Sequence, residues 1–288
     1  MPVTLLGAAE IRALAAELDV TPTKKLGQNF VVDANTVRKI VHVARVTADD
    51  HVVEVGPGLG SLTLAILETG APVTAVEIDR RLAEKLPSTA AGHGVPDGAL
   101  QVIAADALRV RELPGDPDVL VANLPYNVSV PVLLHFMETF PGIRRGVVMV
   151  QAEVGERLAA PPGSKIYGAP SVKAAWYGSW RLAGVVSRQV FWPVPNVDSV
   201  LVAFDRDETA RGSEDERVHT FRIVDAAFQQ RRKMLRQALA GVLGGSAAAA
   251  SEVLEAAGVK PTARGEELTI DDFVAISRAA ATVASLGE

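Results

Sequence analysis

The chain has 288 residues, 48% hydrophobic and 22% charged, enough apolar material for one large domain or a large domain with a small partner. It contains no cysteine, which excludes disulfides, thiolate metal sites and cysteine nucleophiles and favours an intracellular, cytoplasmic protein. A formal net charge of -5 argues against a polyanionic partner unless the 29 Lys and Arg residues are clustered.

The first twenty residues lack a basic segment followed by an apolar one, so no secretory signal is expected. The longest charge-free run, 119–137, carries Asn123, Pro125, Asn127, Ser129, Pro131 and His135, which a membrane helix would not hold together. His42, His51, His93, His135 and His219 lack ligand spacing, and no metal is expected.

In chain order, Ile11, Leu14 and Leu18 recur at i, i+3 and i+7 and predict a short amphipathic helix. The basic, polar segment TPTKKLGQNF follows, then a helix capped by Asp33 with Val37, Ile40, Val41 and Ala44 on its apolar face. Strand-like runs at 51–55, 73–78, 100–104, 119–122 and 146–150 alternate with helical stretches such as 61–68 and 80–86. That alternation predicts a mostly parallel sheet covered on both faces. Two β-like runs between Val185 and Phe204, separated by WPVPN, predict an antiparallel hairpin finishing the sheet. The acidic stretch 205–217 reads as a linker, and only helical patterns lie beyond it. The expected organisation is an α/β domain over 1–206 and a small all-helical domain over 207–288. Trp176, Tyr177 and Trp180 are expected to pack rather than bind.

The motif Glu54-Val55-Gly56-Pro57-Gly58-Leu59-Gly60 closes the first strand of that series, where glycines let the backbone turn tightly and approach a ligand. Glu77, at the end of the next strand, can accept hydrogen bonds from both ribose hydroxyls of a nucleoside. Ser61 occupies the third glycine position of the dinucleotide fingerprint, which favours S-adenosylmethionine over a nicotinamide cofactor. Asp106, after the third strand, can either accept from an adenine amine or cap a turn.

Asn123-Leu124-Pro125-Tyr126 ends the fourth strand. An exocyclic adenine amine is a weak nucleophile because its lone pair is delocalised into the ring. A side-chain carbonyl and a backbone carbonyl can accept its two N–H groups and turn the lone pair towards a methyl donor. Proline fixes the backbone and the tyrosine can stack on the base. In-line attack on a sulfonium methyl requires no metal and no dedicated base.

These pieces resemble the KsgA-type 16S ribosomal RNA adenine dimethyltransferases of the class I methyltransferase fold. The resemblance runs through KKLGQNFVVD (24–33), EVGPGLG (54–60), VEID (76–79), AADA (104–107), NLPYNVS (123–129), SKIYG (164–168), FWPVPNVDS (191–199) and FQQRRKMLRQAL (228–239). It implies a Rossmann-like sheet, mostly parallel with an antiparallel end, and a small C-terminal all-helical domain. S-adenosylmethionine would be the methyl donor. Asn29 and Val31 would border its methionine and sulfonium, Gly56, Gly58 and Glu77 its backbone and ribose, and Asp106 its adenine. Asn123 would bridge donor and target base within the catalytic segment Asn123, Leu124, Pro125 and Tyr126. Tyr126 would stack on the target, with Phe191 on its other side. Val31 stands where the family usually has leucine, and Ala152 where a basic residue is common.

The stretch 217–240 has a local balance of +5, with Phe228, Leu235 and Leu239 on the apolar face of a single helical segment. Beside an adenine-modifying pocket, Arg222, Arg231, Arg232, Lys233 and Arg236 are expected to grip an RNA backbone, with Lys24 and Lys25 as a second basic spot. The resemblance implies dimethylation of two adjacent adenosines in the 3′-terminal hairpin of 16S rRNA within the assembling 30S particle. No membrane partner is expected, and no sequence feature suggests a dimer, so a monomer is expected. Two other functions share these features: an antibiotic-resistance methyltransferase of 23S rRNA, and a ribosome-assembly or transcription factor that keeps the fold. An NAD-dependent dehydrogenase is disfavoured by Ser61.

Overall fold

The computed structural model describes residues 2–20, 29–125 and 128–286, with side chains as far as residue 283. They form two compact units, one from the chain up to 155 with 180–206, the other from 156–179 with 207–288.

The first unit opens with α1 (Ala8–Glu17), β1 (Phe30–Val31) and α2 (Ala34–Val43). Asp33 caps α2: one carboxylate oxygen accepts the Thr36 amide at 2.7 Å and the Thr36 hydroxyl at 2.6 Å. This satisfies an amide that a helix start otherwise leaves unpaired. Val37, Ile40, Val41 and Ala44 are buried on the predicted face.

The alternating region follows as β2 (Val52–Val55), α3 (Ser61–Leu67), β3 (Val73–Glu77), α4 (Arg80–Gly92), β4 (Leu100–Ala104), β5 (Val119–Asn123), α5 (Ser129–Thr139) and β6 (Arg145–Gln151). After α6 (Ala152–Leu158) and α7 (Ala169–Ala175) come β7 (Gly178–Val186), β8 (Phe191–Trp192) and β9 (Ser199–Arg206). Every residue of β2 and β3 is buried, as strands covered on both faces require.

Among the described residues the main sheet has seven strands in the order β4-β3-β2-β5-β6-β9-β7. Pairing is parallel from β4 to β6 and antiparallel between β6 and β9. The strand order reverses between β2 and β5, so the crevice that α/β sheets use for ligands lies beyond Val55 and Asn123.

The predicted hairpin is corrected in its first arm. The sheet strand β7 begins at Gly178 and ends at Val186, and Phe191–Trp192 leaves the main sheet. There it pairs antiparallel with β1, Phe30 opposite Trp192 and Val31 opposite Phe191. The Val32 amide extends this ladder to the Val190 carbonyl at 2.8 Å, and the Phe30 and Trp192 rings stack at 6.4 Å. A pairing between segments so far apart in the chain leaves no local trace in either.

The second unit continues with α8 (Glu214–Gln229), α9 (Leu235–Ala238), α10 (Ala247–Ala256) and α11 (Ile270–Leu286). Residues 207–288 lie in this unit, and so does 156–179, which the sequence alone places in the α/β domain. The reason is aromatic packing. Tyr167 meets Phe228 at 6.0 Å, Trp176 and Tyr177 both stand edge-on to Phe221, and the Tyr167 hydroxyl donates to the Leu268 carbonyl at 2.8 Å. Trp180 instead stacks on Phe204 in the first unit at 4.7 Å.

The acidic stretch is only partly a linker. Ser213 caps α8 in a reciprocal capping box with Glu216, and Glu214, Asp215 and Glu216 fill the first helical turn, where acidic charge complements the helix dipole. No helix among the described residues is long and apolar enough to cross a membrane.

Candidate active site

The ends of β2, β3, β4 and β5 open onto a cavity of about 300 Å³, at the low end of the range for small-molecule sites. Its lining includes the predicted Asn29, Val31, Gly56, Gly58, Glu77, Asp106, Asn123, Leu124 and Pro125. Residues spread over nearly a hundred positions of sequence therefore meet in one crevice.

The glycine loop takes the conformations its composition allows. Gly56, Gly58 and Gly60 all have positive φ, at 70°, 59° and 99°. A Cβ on Gly58 would lie 3.0 Å from the Phe30 ring, and one on Gly60 would lie 2.7 Å from Leu86. The positive φ strains any other side chain at both, and an added Cβ would also press on these neighbours.

Glu77 is 4% exposed, and its two oxygens accept the amides of Gly58 at 3.0 Å and Asp79 at 2.9 Å. Burial raises its carboxyl above the usual range against the pull of those two amides. The carboxylate is thus pinned to the glycine loop with lone pairs left for ligand hydroxyls. Asp106 accepts the Leu108 amide at 3.0 Å and lies 3.7 Å from Arg109, so it caps a turn and lines the cavity at once.

Asn123 is half-buried at the end of β5, and its Nδ2 donates to the Asn29 carbonyl at 3.2 Å. That leaves Oδ1 as the acceptor. The Leu124 amide is held by the Met149 carbonyl at 3.1 Å, and the Pro125 carbonyl by the Val128 amide at 3.3 Å. Tyr126, Lys24 and Lys25 lie outside the described residues.

Phe191 is a correction. It is 2% exposed, packs in the core cluster with Val31, Val37 and Ile40, and is not part of the cavity lining. A ring so enclosed offers no face to a base. Sequence reasoning also overlooked Ile78, which is 61% exposed yet lines the cavity with Leu108, Val128 and Val132. Its only trace was an apolar residue directly after the strand-end acid, which a core residue would also leave.

The basic segment is not one helix. The helix α8 ends at Gln229, and the chain turns before α9, because Leu235 and Leu239 are buried and 230–234 are not helical. Arg231 is held by Glu266 at 2.7 Å and by the Lys165 carbonyl at 2.7 Å, which gives it a structural task. Arg222, Arg232 and Lys233 are exposed, Arg236 is half-buried, and none has an ion pair among the described residues. The Leu235 and Arg236 amides bond to the carbonyls of Ala263 and Pro261, which brings exposed Lys260 and Arg264 beside that turn. Neither cation stood out in the sequence, being isolated within an acidic tail.

The residues fit a methylated sulfonium nucleoside: an anchored acid for ribose, an acid near an apolar wall for adenine, and, among the described residues, no lining Lys, Arg or His to repel a cationic group. Among the described residues no group of three or more His, Asp or Glu side chains could hold a metal ion.

A family model described as ribosomal RNA adenine dimethylase matches residues 21–281. The chain is 66% identical over 275 residues to ribosomal RNA small subunit methyltransferase A of Leifsonia xyli subsp. xyli, covering 95% of this chain and 98% of that one. It is 60% identical to the protein of the same name from Streptomyces coelicolor, covering 96% and 97%. Two solved structures share the fold at 24% identity: a dimethyladenosine transferase from Plasmodium falciparum (TM-score 0.73, covering 85% and 94%) and the 23S rRNA methyltransferase ErmE (TM-score 0.66, covering 88% and 100%). The chain belongs to the ribosomal RNA adenine dimethylases, S-adenosylmethionine-dependent methyltransferases of the class I fold.

Proposed function

We propose that the protein dimethylates the N6 amines of two adjacent adenosines in the 3′-terminal hairpin of 16S rRNA, acting as a cytoplasmic monomer on the assembling 30S particle. The observation that supports the chemistry is the Asn123 amide, which lines the cavity and gives its Nδ2 to the Asn29 carbonyl, leaving Oδ1 as the acceptor. The Asn123 Oδ1 and the Leu124 carbonyl accept the two amine protons and orient the nitrogen lone pair for in-line attack. S-adenosylmethionine supplies an electrophilic methyl on sulfonium, and the product amine then loses its proton to water.

After one transfer a single N–H remains, so the monomethyl product keeps one of these two hydrogen bonds, and the neutral amide can still accept it for a second transfer. Tyr126 would stack on the base. Arg222, Arg232, Lys233 and Arg236, extended by Lys260 and Arg264, form the proposed RNA-facing surface. The small-subunit reading is favoured over a 23S substrate because relatives at 66% and 60% identity carry the small-subunit name, while the ErmE likeness extends to the fold.

The test is transfer of labelled methyl from S-adenosylmethionine to undermethylated 30S subunits, with free 23S rRNA alongside and the modified nucleoside identified by mass spectrometry. Dimethyladenosine in 16S rRNA is expected. Label in 23S rRNA and none in 30S overturns the proposal.

A further inference from the structure

Glu54 is the pocket acid for which the transfer chemistry has no task. It lies in β2, 1% exposed, within the cavity lining. Its Oε2 accepts the Thr63 hydroxyl at 2.6 Å, and Oε1 has no hydrogen-bond partner among the described residues. The polar groups around it come from every neighbouring element: Thr63 and Ser61 from α3, Glu77 from β3, Asp106 beyond β4 and Asn123 from β5. Of these Glu77 and Asp106 titrate, and no Lys, Arg or His lines the cavity among the described residues. Ser61 Oγ is itself buried without a partner.

A buried carboxylate with no cation beside it is costly, so the carboxyl keeps its proton. Burial pushes Glu54 up to about 8, opposed by the Thr63 hydroxyl and reinforced by the negative charge of Glu77. The donor that this pocket suits carries a sulfonium and an ammonium against one carboxylate. The product of transfer, a thioether, has lost the sulfonium charge.

From this arrangement we infer that Glu54 is a specificity-determining residue that couples donor binding to proton release, favouring the sulfonium donor over the thioether product. When the donor enters, the Glu54 O–H bond breaks, the proton leaves to solvent, and the carboxylate is compensated by the extra cationic charge. When only the thioether occupies the pocket, that compensation is gone and the carboxyl recovers a proton from solvent. The inference rests on the reading of this cavity as the donor site and is independent of which RNA is modified.

The experiment is isothermal titration of S-adenosylmethionine and, separately, S-adenosylhomocysteine into the full-length protein between pH 6.5 and 8.5. Two buffers of different ionisation enthalpy are used, so that protons released are counted directly. For the wild type, donor affinity rises with pH by up to about tenfold per unit, with net proton release, and levels off above pH 8. The product shows a shallower dependence. Glu54→Gln flattens the donor profile to that of the product. Thr63→Val, which removes the hydroxyl supporting the carboxylate, moves the inflection to higher pH, and it decides the matter even if Glu54→Gln fails to fold. A wild-type donor profile without slope or proton release, or a slope that survives Glu54→Gln, overturns the inference. Donor binding absent at every pH overturns the reading of the cavity itself.

Discussion

The Asn123 amide donates to the Asn29 backbone carbonyl at 3.2 Å, joining the end of β5 to the segment that leads into β1 across 94 residues. One bond therefore commits the amide nitrogen, leaves Oδ1 as the acceptor and ties the two motifs together. Asn123→Ala removes the acceptor that orients the amine while leaving the donor cavity formed. A fall in kcat of at least about 100-fold is expected, with 30S affinity largely retained. Single-turnover kinetics and subunit binding check this, and equal loss of both would make Asn123 structural.

Phe191 is buried, so its loss should act on the fold. Phe191→Ala is expected to destabilise the protein by about 3–5 kcal/mol, read from urea unfolding. A variant of native stability that loses only target binding would return Phe191 to the base.

Ile78 is 61% exposed, lines the cavity and is not part of the buried core. Ile78→Ser should leave the melting temperature unchanged and raise the donor Kd about tenfold, as expected when roughly 1–2 kcal/mol of apolar contact is lost. Equilibrium dialysis with labelled donor measures it.

The basic turn divides into two roles. Replacing Arg232 and Lys233 by Ala should weaken 30S binding and reduce the slope of log K against log salt by about 1–2, without loss of stability. Arg231→Ala, which strips Glu266 and the Lys165 carbonyl of their partner, should instead lower the stability of the helical unit. Salt titrations and thermal unfolding separate the two outcomes.

Glu54 also makes stability depend on pH. Its folded carboxyl titrates near 8, above its value of 4.5 in the unfolded chain, so between those values the folded state binds more protons. Its contribution to stability is present at low pH and is lost as pH rises towards 8. Unfolding midpoints of the ligand-free protein between pH 6 and 8 should therefore fall more steeply in the wild type than in Glu54→Gln. Parallel slopes would contradict a protonated Glu54.

The strands that carry the site were legible because parallel strands covered on both faces must be apolar throughout, and β2 and β3 are buried at every position. The polar residues that end them, Glu77 and Asn123, were therefore conspicuous, and so were the glycines whose positive φ disfavours other side chains. Asp33 was equally plain, since a cap is satisfied within three residues. The family likeness supplied the functional meaning of motifs that local spacing alone left open.

What local pattern could not show was every arrangement set by contacts between distant segments. Phe191 has the same apolar character whether it stacks on a base or lies under β1, and the pairing of Val31 with Phe191 decides between them. Residues 156–179 join the helical unit through aromatic contacts with Phe221 and Phe228, which no boundary in composition announces. The basic residues beyond Gln229 keep their charge in any conformation, yet the turn there commits Arg231 to Glu266 and gathers Lys260 and Arg264 beside the others. Composition and periodicity determined the layers and the chemistry available to this protein. Tertiary structure decided which of those side chains reach solvent or ligand, because burial and pairing depend on neighbours that the chain brings together only when folded.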